Sequence, residues 1–234
     1  MAKLNLVEAV NVALAQELEF DPRVVVMGED VGYEGGVFRA TVGLQQKFGD
    51  VRVIDTPLSE AGIVGCAIGM AVYGLRPVVE IQFEGFTFPA YDQIVSHVAR
   101  IRNRSRGRFT CPLVVRTPYG GGVRALEHHS EAPETLYAHV PGLTVIIPST
   151  PYDTKGLLAA AIQSEDPVIF FEPKRLYRAF KQEVPDERYT LPIGKANIVR
   201  EGNDLTIVTY GGMVRVAMDA ADQVAETADV EIVD

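Results

Sequence analysis

Short runs of Val and Ile recur along the chain: "RVVVMG" (23–28), "VRVID" (51–55), "PVVEIQF" (77–83), "PLVVRT" (112–117), "LTVIIP" (143–148) and "PVIFFE" (167–172). A strand wetted on one face alternates apolar and polar residues, whereas these runs are apolar almost throughout, so their sheet must be covered on both faces. Between them lie "LVEAVNVALAQELE" (6–19), "EAGIVGCAIGMAVYG" (60–74), "FPAYDQIVSHVARIRN" (88–103) and "TPYDTKGLLAAAIQS" (150–164), with apolar residues at helical spacing. This alternation predicts an α/β fold, a parallel sheet with helices on both faces. A polar stretch holding Pro185 and Pro192 then predicts a linker near 175–195. Residues 1–185 read as one α/β domain and 186–234 as the linker and the start of a second. That second unit offers strand 204–211, helix 214–228 and strand 229–234, too little to bury a core alone, so it reads as an incomplete α/β domain.

The 234 residues carry a net charge of -9, which argues against a protein that grips nucleic-acid phosphates. The one basic stretch, "ARIRNRSRGRF" (99–109), reads as a solvated helix end pairing with nearby acids, or as a docking point for an acidic partner. Cys66 and Cys111 read as buried thiols with no disulfide between them. The amino terminus shows neither an apolar signal core nor an Arg/Ser-rich leader, which sets a cytoplasmic expectation. The longest apolar stretch, 61–83, is broken by Arg76, Pro77 and Glu80 and cannot cross a bilayer as one helix.

Glu60 stands at the first turn of an expected helix studded with Gly62, Gly65 and Gly69, following Ser59 as a candidate cap. Each glycine costs about 0.5–1 kcal/mol relative to alanine inside a helix, so close packing must offset it, either within the fold or across a subunit interface. An acid at a helix start has a purely structural use, complementing the helix dipole. It has a chemical use too, because Leu58, Ile63 and Val64 would surround it with apolar surface that favours the protonated form. "HHSE" (128–131) lacks the second spaced pair of a zinc site and reads as a surface loop. Glu29, in "GEDVG" after a strand, opens a loop without the GxGxxG of a dinucleotide site. "YGGGV" (119–123) lacks the Lys-Ser/Thr of a P-loop and reads as a plain loop.

Taken together, "GEDVG", "DTPLSEAGIVGCAIGMAVYGLRPVVEIQF", "FPAYDQIV", "HHSEAPE", "VPGLTVIIPSTPYDTKGLL" and "FFEPKRLYR" resemble the beta subunit of the decarboxylating first component of 2-oxo acid dehydrogenase complexes. These are thiamine-diphosphate-dependent enzymes of the transketolase-like group. The resemblance implies that Glu60 protonates the aminopyrimidine ring nitrogen of the cofactor, so that the cofactor's own amino group can remove the thiazolium C2 proton. His129 resembles the residue that steadies the oxo acid or assists proton and acyl transfer to a lipoyl group, and nothing is implied for His128. Glu29 resembles an acid behind Glu60 in a proton-conducting network. Leu58, Gln82 and Phe86 resemble residues lining the pyrimidine pocket, with Phe86 in place of a tyrosine. A potassium ion held through carbonyls corresponds here to Leu113, Val114, Ala161, Ser164 and Asp166, where Val114 and Ser164 depart from the Thr and Asp of some relatives.

The family's Gly-Asp-Gly motif with a downstream Asn, which binds Mg²⁺ and the diphosphate, is absent from the sequence. The resemblance therefore implies a separate alpha subunit that supplies this half of the site in an alpha2beta2 heterotetramer, with a lipoyl acyltransferase receiving the acyl group. Such subunits run on through a complete second domain, and this sequence is expected to lack about the final third of the subunit's length. "HHSEAPE" and "FFEPKRLYR" lean toward branched-chain oxo acids over pyruvate. An acetoin-cleaving or transketolase-like enzyme, or a non-catalytic α/β interaction module, are the alternatives.

Overall fold

The structure, a computed structural model, describes residues 1–122 and 124–234. Six parallel strands form the central sheet: β2 (Val24–Gly28), β3 (Val53–Asp55), β4 (Arg76–Glu80), β5 (Val114–Tyr119), β6 (Thr144–Ile146) and β7 (Val168–Pro173), in the order β3-β2-β4-β5-β7-β6. Alternate side chains of each run enter different cores. Val24, Val26, Val78, Val114 and Phe170 pack in one layer, while Met27, Val79, Val115, Ile169 and Phe171 pack in the other. The two-faced burial implied by the apolar runs is therefore present.

Helices α1 (Leu6–Phe20) and α6 (Pro151–Gln163) cover the first face, and α3 (Glu60–Val72) the second. The start of α1 is a capping box, in which Asn5 accepts from the Glu8 N–H at 2.9 Å and Glu8 accepts from the Asn5 N–H at 2.8 Å. At α6, Pro151 occupies the first turn and Thr150 Oγ1 accepts from the Asp153 N–H. Short helices α2 (Leu44–Phe48) and α5 (Glu134–Ala138) complete the loops around the sheet.

Several expectations need correcting. Residues 88–103 form no single helix: a 3-10 turn at Glu84–Thr87 leads into a π-type turn at Gln93–His97, a 3-10 turn at Val98–Arg100 and a short helix α4 (Ile101–Arg104). The irregular winding keeps Ile94, Val98 and Ala99 all buried, and side chains satisfy the carbonyls it frees. Arg100 Nε donates to the Val95 carbonyl at 3.0 Å and Arg104 Nη2 to the Ser96 carbonyl at 2.6 Å. The basic stretch thus serves its own backbone, with Arg102 paired to Asp166. The expected linker contains β8 (Gln182–Val184), which pairs antiparallel with β1 (Ala2–Leu4) and ties it to the amino terminus. Cys66 is exposed rather than buried, because it falls on the outer side of α3. Both cysteines are free, and burial pushes the Cys111 thiol up to about 12.

In the second unit β9 (Ile198–Arg200) adds a strand that the sequence pattern hides, giving the order β10-β11-β9 with β10 (Leu205–Val208) and β11 (Val230–Val233). Helix α7 (Gly212–Gln223) packs Ala217 and Ala221 against Val230 and Ile232, a small core that leaves Leu205, Val208 and Met213 exposed. Gly120 to Gly122 form a bend as expected, and Val123 of the same motif lies outside the described residues. Among the described residues no helix is long and apolar enough to cross a membrane.

One ionic network spans the middle of the sheet. Arg116 on β5 donates from Nη1 to Glu80 on β4 at 2.5 Å and from Nε and Nη2 to Glu172 on β7 at 2.7 and 3.0 Å; the Tyr177 hydroxyl also donates to Glu172. One guanidinium thus serves two buried carboxylates. Removing it strands both, so Arg116→Met is expected to cost at least about 3–5 kcal/mol in denaturant unfolding. A loss below about 1 kcal/mol would show the network to be dispensable.

Candidate active site

Strand β2 has β3 on one side and β4 on the other, so the chain leaves β2 in one direction and returns past it in the other. Loops diverge at such a reversal, leaving a crevice beyond the carboxyl ends of the strands. The residues that open it follow directly: Glu29 and Asp30 after β2, Thr56 to Glu60 after β3, and Gln82 to Phe86 after β4.

Glu60 is the first residue of α3 and lies on the helix's inward stripe with Val64, Ala67 and Ala71, so it is buried at 9% exposure. The expected Ser59 cap does not form; the Ser59 hydroxyl makes no capping bond, and only its carbonyl enters the helix ladder, accepting from the Ile63 N–H at 2.8 Å. The other side of α3 presents Gly62, Cys66, Gly69 and Tyr73, and a Cβ at Gly69 would meet nothing within 4 Å. The glycines are therefore not used for close packing inside this chain at that position.

Glu29 is the second buried acid of the crevice. Burial pushes its carboxyl up, the neighbouring Glu60 and Asp30 charges push it further, and the Ser59 backbone N–H pulls the other way. Among the described residues its Oε1 is buried without a hydrogen-bond partner, as is Thr56 Oγ1 one loop away. Gly28 before it admits no side chain, since a Cβ would stand 2.6 Å from the Glu80 carbonyl. Sequence reasoning missed the residue that fastens this loop. Asp55, ending β3, accepts from the Gly32 and Tyr33 N–H groups at 2.6 and 3.1 Å. A strand-end carboxylate leaves no periodic signal of such a role.

The loop after β4 joins this acidic half to the histidine. Gln82 Nε2 donates to Asp30 at 3.2 Å, while Phe83 and Phe86 pack on the His129 ring with centroids 4.3 and 5.1 Å away. His129 Nδ1 lies 2.9 Å from the Glu127 carbonyl, which can only accept, so Nδ1 carries its proton and Nε2 is left to take or give one. His128 has left-handed backbone, φ 67°, and an exposed side chain; its place in the loop is conformational. Leu58, at 79% exposure, stands outside the buried group, and Leu126 at 78% flanks the histidine loop.

The residues matched to potassium lie at the opposite, amino-terminal edge of the sheet, between the end of α6 and the starts of β5 and β7. Their carbonyls are engaged. Leu113 accepts from Val168, Ala161 from Ser164, Asp166 from the Ser164 hydroxyl, and Ser164 from Arg76 Nη1 at 3.0 Å. The Asp166 carboxylate accepts from Arg102. The Arg76 guanidinium thus already sets a positive charge at this helix end.

The fold and this crevice define a class: residues 2–179 match the family model of the transketolase pyrimidine-binding domain, and residues 194–234 match the transketolase C-terminal domain. Among solved structures, the fold is shared with a split-gene transketolase, an inactive beta4 tetramer, at TM-score 0.80 and 22% identity over 99% of this chain and 70% of that one. It is shared too with the transketolase of Leishmania mexicana, at 0.70 and 18% over 100% and 34%. The chain is 59% identical over its whole length to the pyruvate dehydrogenase E1 component subunit beta of Acholeplasma laidlawii, spanning 72% of that protein. It is 61% identical over 89% of its length to the subunit of that name from Mycoplasma genitalium, 64% of which is spanned, and 53% identical over 95% to the 2-oxoisovalerate dehydrogenase subunit beta of Bacillus subtilis, 68% of which is spanned. The chain belongs to the family of beta subunits of 2-oxo acid dehydrogenase first components.

The raised Glu29 carboxyl has a consequence for stability. The folded protein holds this proton where the unfolded chain has released it, so stability falls as pH rises from the usual carboxyl range through the raised titration. Glu29→Gln is expected to remove that decline and to raise the thermal midpoint more at pH 7 than at pH 4. A midpoint difference independent of pH would contradict it.

Proposed function

We propose that the chain is the half of a 2-oxo acid dehydrogenase active site that receives the pyrimidine ring of thiamine diphosphate, and that the assembled enzyme decarboxylates a 2-oxo acid and passes the acyl group to a lipoyl acyltransferase. The observation that carries this reading is Glu60, a buried carboxyl at the start of α3 beside Glu29, facing the crevice at the strand ends. The residue types at these strand ends suit a polar heterocycle. Partnerless oxygens at Glu29 and Thr56 offer bonds, and Phe86 offers an apolar edge. The cofactor, when bound, supplies the carbanion-stabilising chemistry that protein side chains lack.

Glu60 would hydrogen-bond the ring nitrogen and pass it a proton, and Glu29, whose carboxyl burial and neighbouring charges push up, is the acid from which that proton would be renewed. Gln82 and Phe86 fix the ring, with the Leu58 backbone at the rim. His129 presents Nε2 to the substrate side, where it steadies the oxo acid and moves a proton during acyl transfer. The diphosphate and its Mg²⁺ fall to a separate alpha subunit, in keeping with the missing Gly-Asp-Gly motif and with exposed Leu58, Leu126 and Tyr73 around the opening and on α3. The potassium corner fits poorly, because a cation there would meet engaged carbonyls and the Arg76 guanidinium. No role in the reaction is derived for it. Relatives named for pyruvate and for 2-oxoisovalerate both match, and the higher identities carry the pyruvate name, which weighs against the branched-chain lean.

In the assembled enzyme, Glu60→Ala is expected to lower oxo acid turnover with an artificial electron acceptor by about 10²–10⁴-fold, with the thermal midpoint little changed. Near-normal turnover would contradict the assignment. The isolated chain with thiamine diphosphate and Mg²⁺ is expected to show no decarboxylation until the alpha subunit is added. Turnover by the chain alone would overturn the division of the site, and ketol transfer without oxo acid turnover would favour a transketolase-like enzyme.

A further inference from the structure

Glu84 and Lys174 form an ion pair closed to solvent on both sides: Lys174 Nζ lies 2.5 Å from Glu84 Oε1, and both side chains are fully buried. Burying two charges gains little stability over apolar residues of similar volume, so the pair calls for another explanation. The partners of the ammonium provide one. It also donates to the main-chain carbonyl of His129, and it lies 5.5 Å from the centroid of Phe83, the ring packed on the His129 imidazole.

The residue after Glu84 grips the same loop. The Gly85 N–H donates to the His128 carbonyl at 3.1 Å, and a Cβ on Gly85 would stand 2.5 Å from that oxygen. The left-handed backbone of His128 turns consecutive carbonyls, at 128 and 129, toward these two donors. With Nδ1 tied to Glu127, the bonds that hold His129 among the described residues leave Nε2 free.

We propose that Lys174, with its charge balanced by Glu84, is the positioning residue that holds His129 in its working orientation. The inference rests on the reading of His129 as a proton-transfer residue. Lys174 touches neither substrate nor cofactor; it acts through the backbone of the loop. Burial raises the Glu84 carboxyl and Lys174 opposes this, so removing the lysine alone lets Glu84 take up a proton in place of its partner. A variant that removes both charges separates positioning from charge burial.

The test is steady-state oxo acid turnover by the assembled enzyme carrying the double substitution Lys174→Met with Glu84→Met, alongside Gly85→Ala and His129→Ala. The double variant is expected to keep its thermal midpoint, its thiamine diphosphate affinity and its KM, while kcat falls by about 10- to 100-fold, the scale of a misplaced catalytic group. Gly85→Ala, whose Cβ must displace the His128 backbone, is expected to lower kcat likewise, with some loss of thermal midpoint. A purely structural pair predicts instead that kcat stays with the midpoint, and a kcat within about twofold of wild type in either folded variant overturns the inference. If His129→Ala turns over normally, the reading of His129 has failed and the inference fails with it. If His129→Ala is impaired while the double variant and Gly85→Ala are not, only the positioning role has failed.

Discussion

A parallel sheet directs every strand the same way, so all of its outgoing loops meet at one edge, and the placement of Glu60 depends on that constraint. Helix α3 starts at that edge, and its inward stripe, which must bury Val64, Ala67 and Ala71, carries the first residue inward with them. A carboxylate on a different face of the same turn would stand in water. The packing requirement of an apolar helix thereby becomes the means of burying an acid at the strand ends.

Three buried acidic arrangements in this chain are balanced differently. Glu80 and Glu172 share Arg116, Glu84 has Lys174, and Glu29 has only backbone donation against two neighbouring negative charges. The first holds strands together and the second grips a loop. The third is left uncompensated, and a raised carboxyl of this kind is what the proposed handing-on of a proton would use. Stability alone would disfavour the charged form of Glu29 at this position.

Much of the fold was legible because it rests on periodicity. The six apolar runs and helices 6–19, 60–74 and 150–164 appear within a few residues of their expected bounds. Glu60 was legible as a candidate from its helix position, and Glu29 and His129 through the resemblance; the charge of Glu60 acts on Glu29, while the loop of Gln82 to Phe86 touches Asp30 and the His129 ring. The short strands β8 and β9 were not legible, since three polar or mixed residues carry no period and form only because a partner edge is offered by β1 or β11. The interrupted helix at 88–103 escaped for a related reason: its carbonyls are satisfied by arginines that read as solvated. The Glu84–Lys174 pair joins residues far apart in the chain, and no local pattern announces it.

The proposed transfer of a proton from Glu60 to the bound pyrimidine ring is tested most directly by exchange of the thiazolium C2 hydrogen for deuterium on thiamine diphosphate in the assembled enzyme. Comparing wild type with Glu60→Gln before any oxo acid is added isolates this step from substrate binding and acyl transfer. Exchange is expected to slow by about 100-fold or more while the cofactor stays bound. Equal exchange rates in the two proteins would contradict the account.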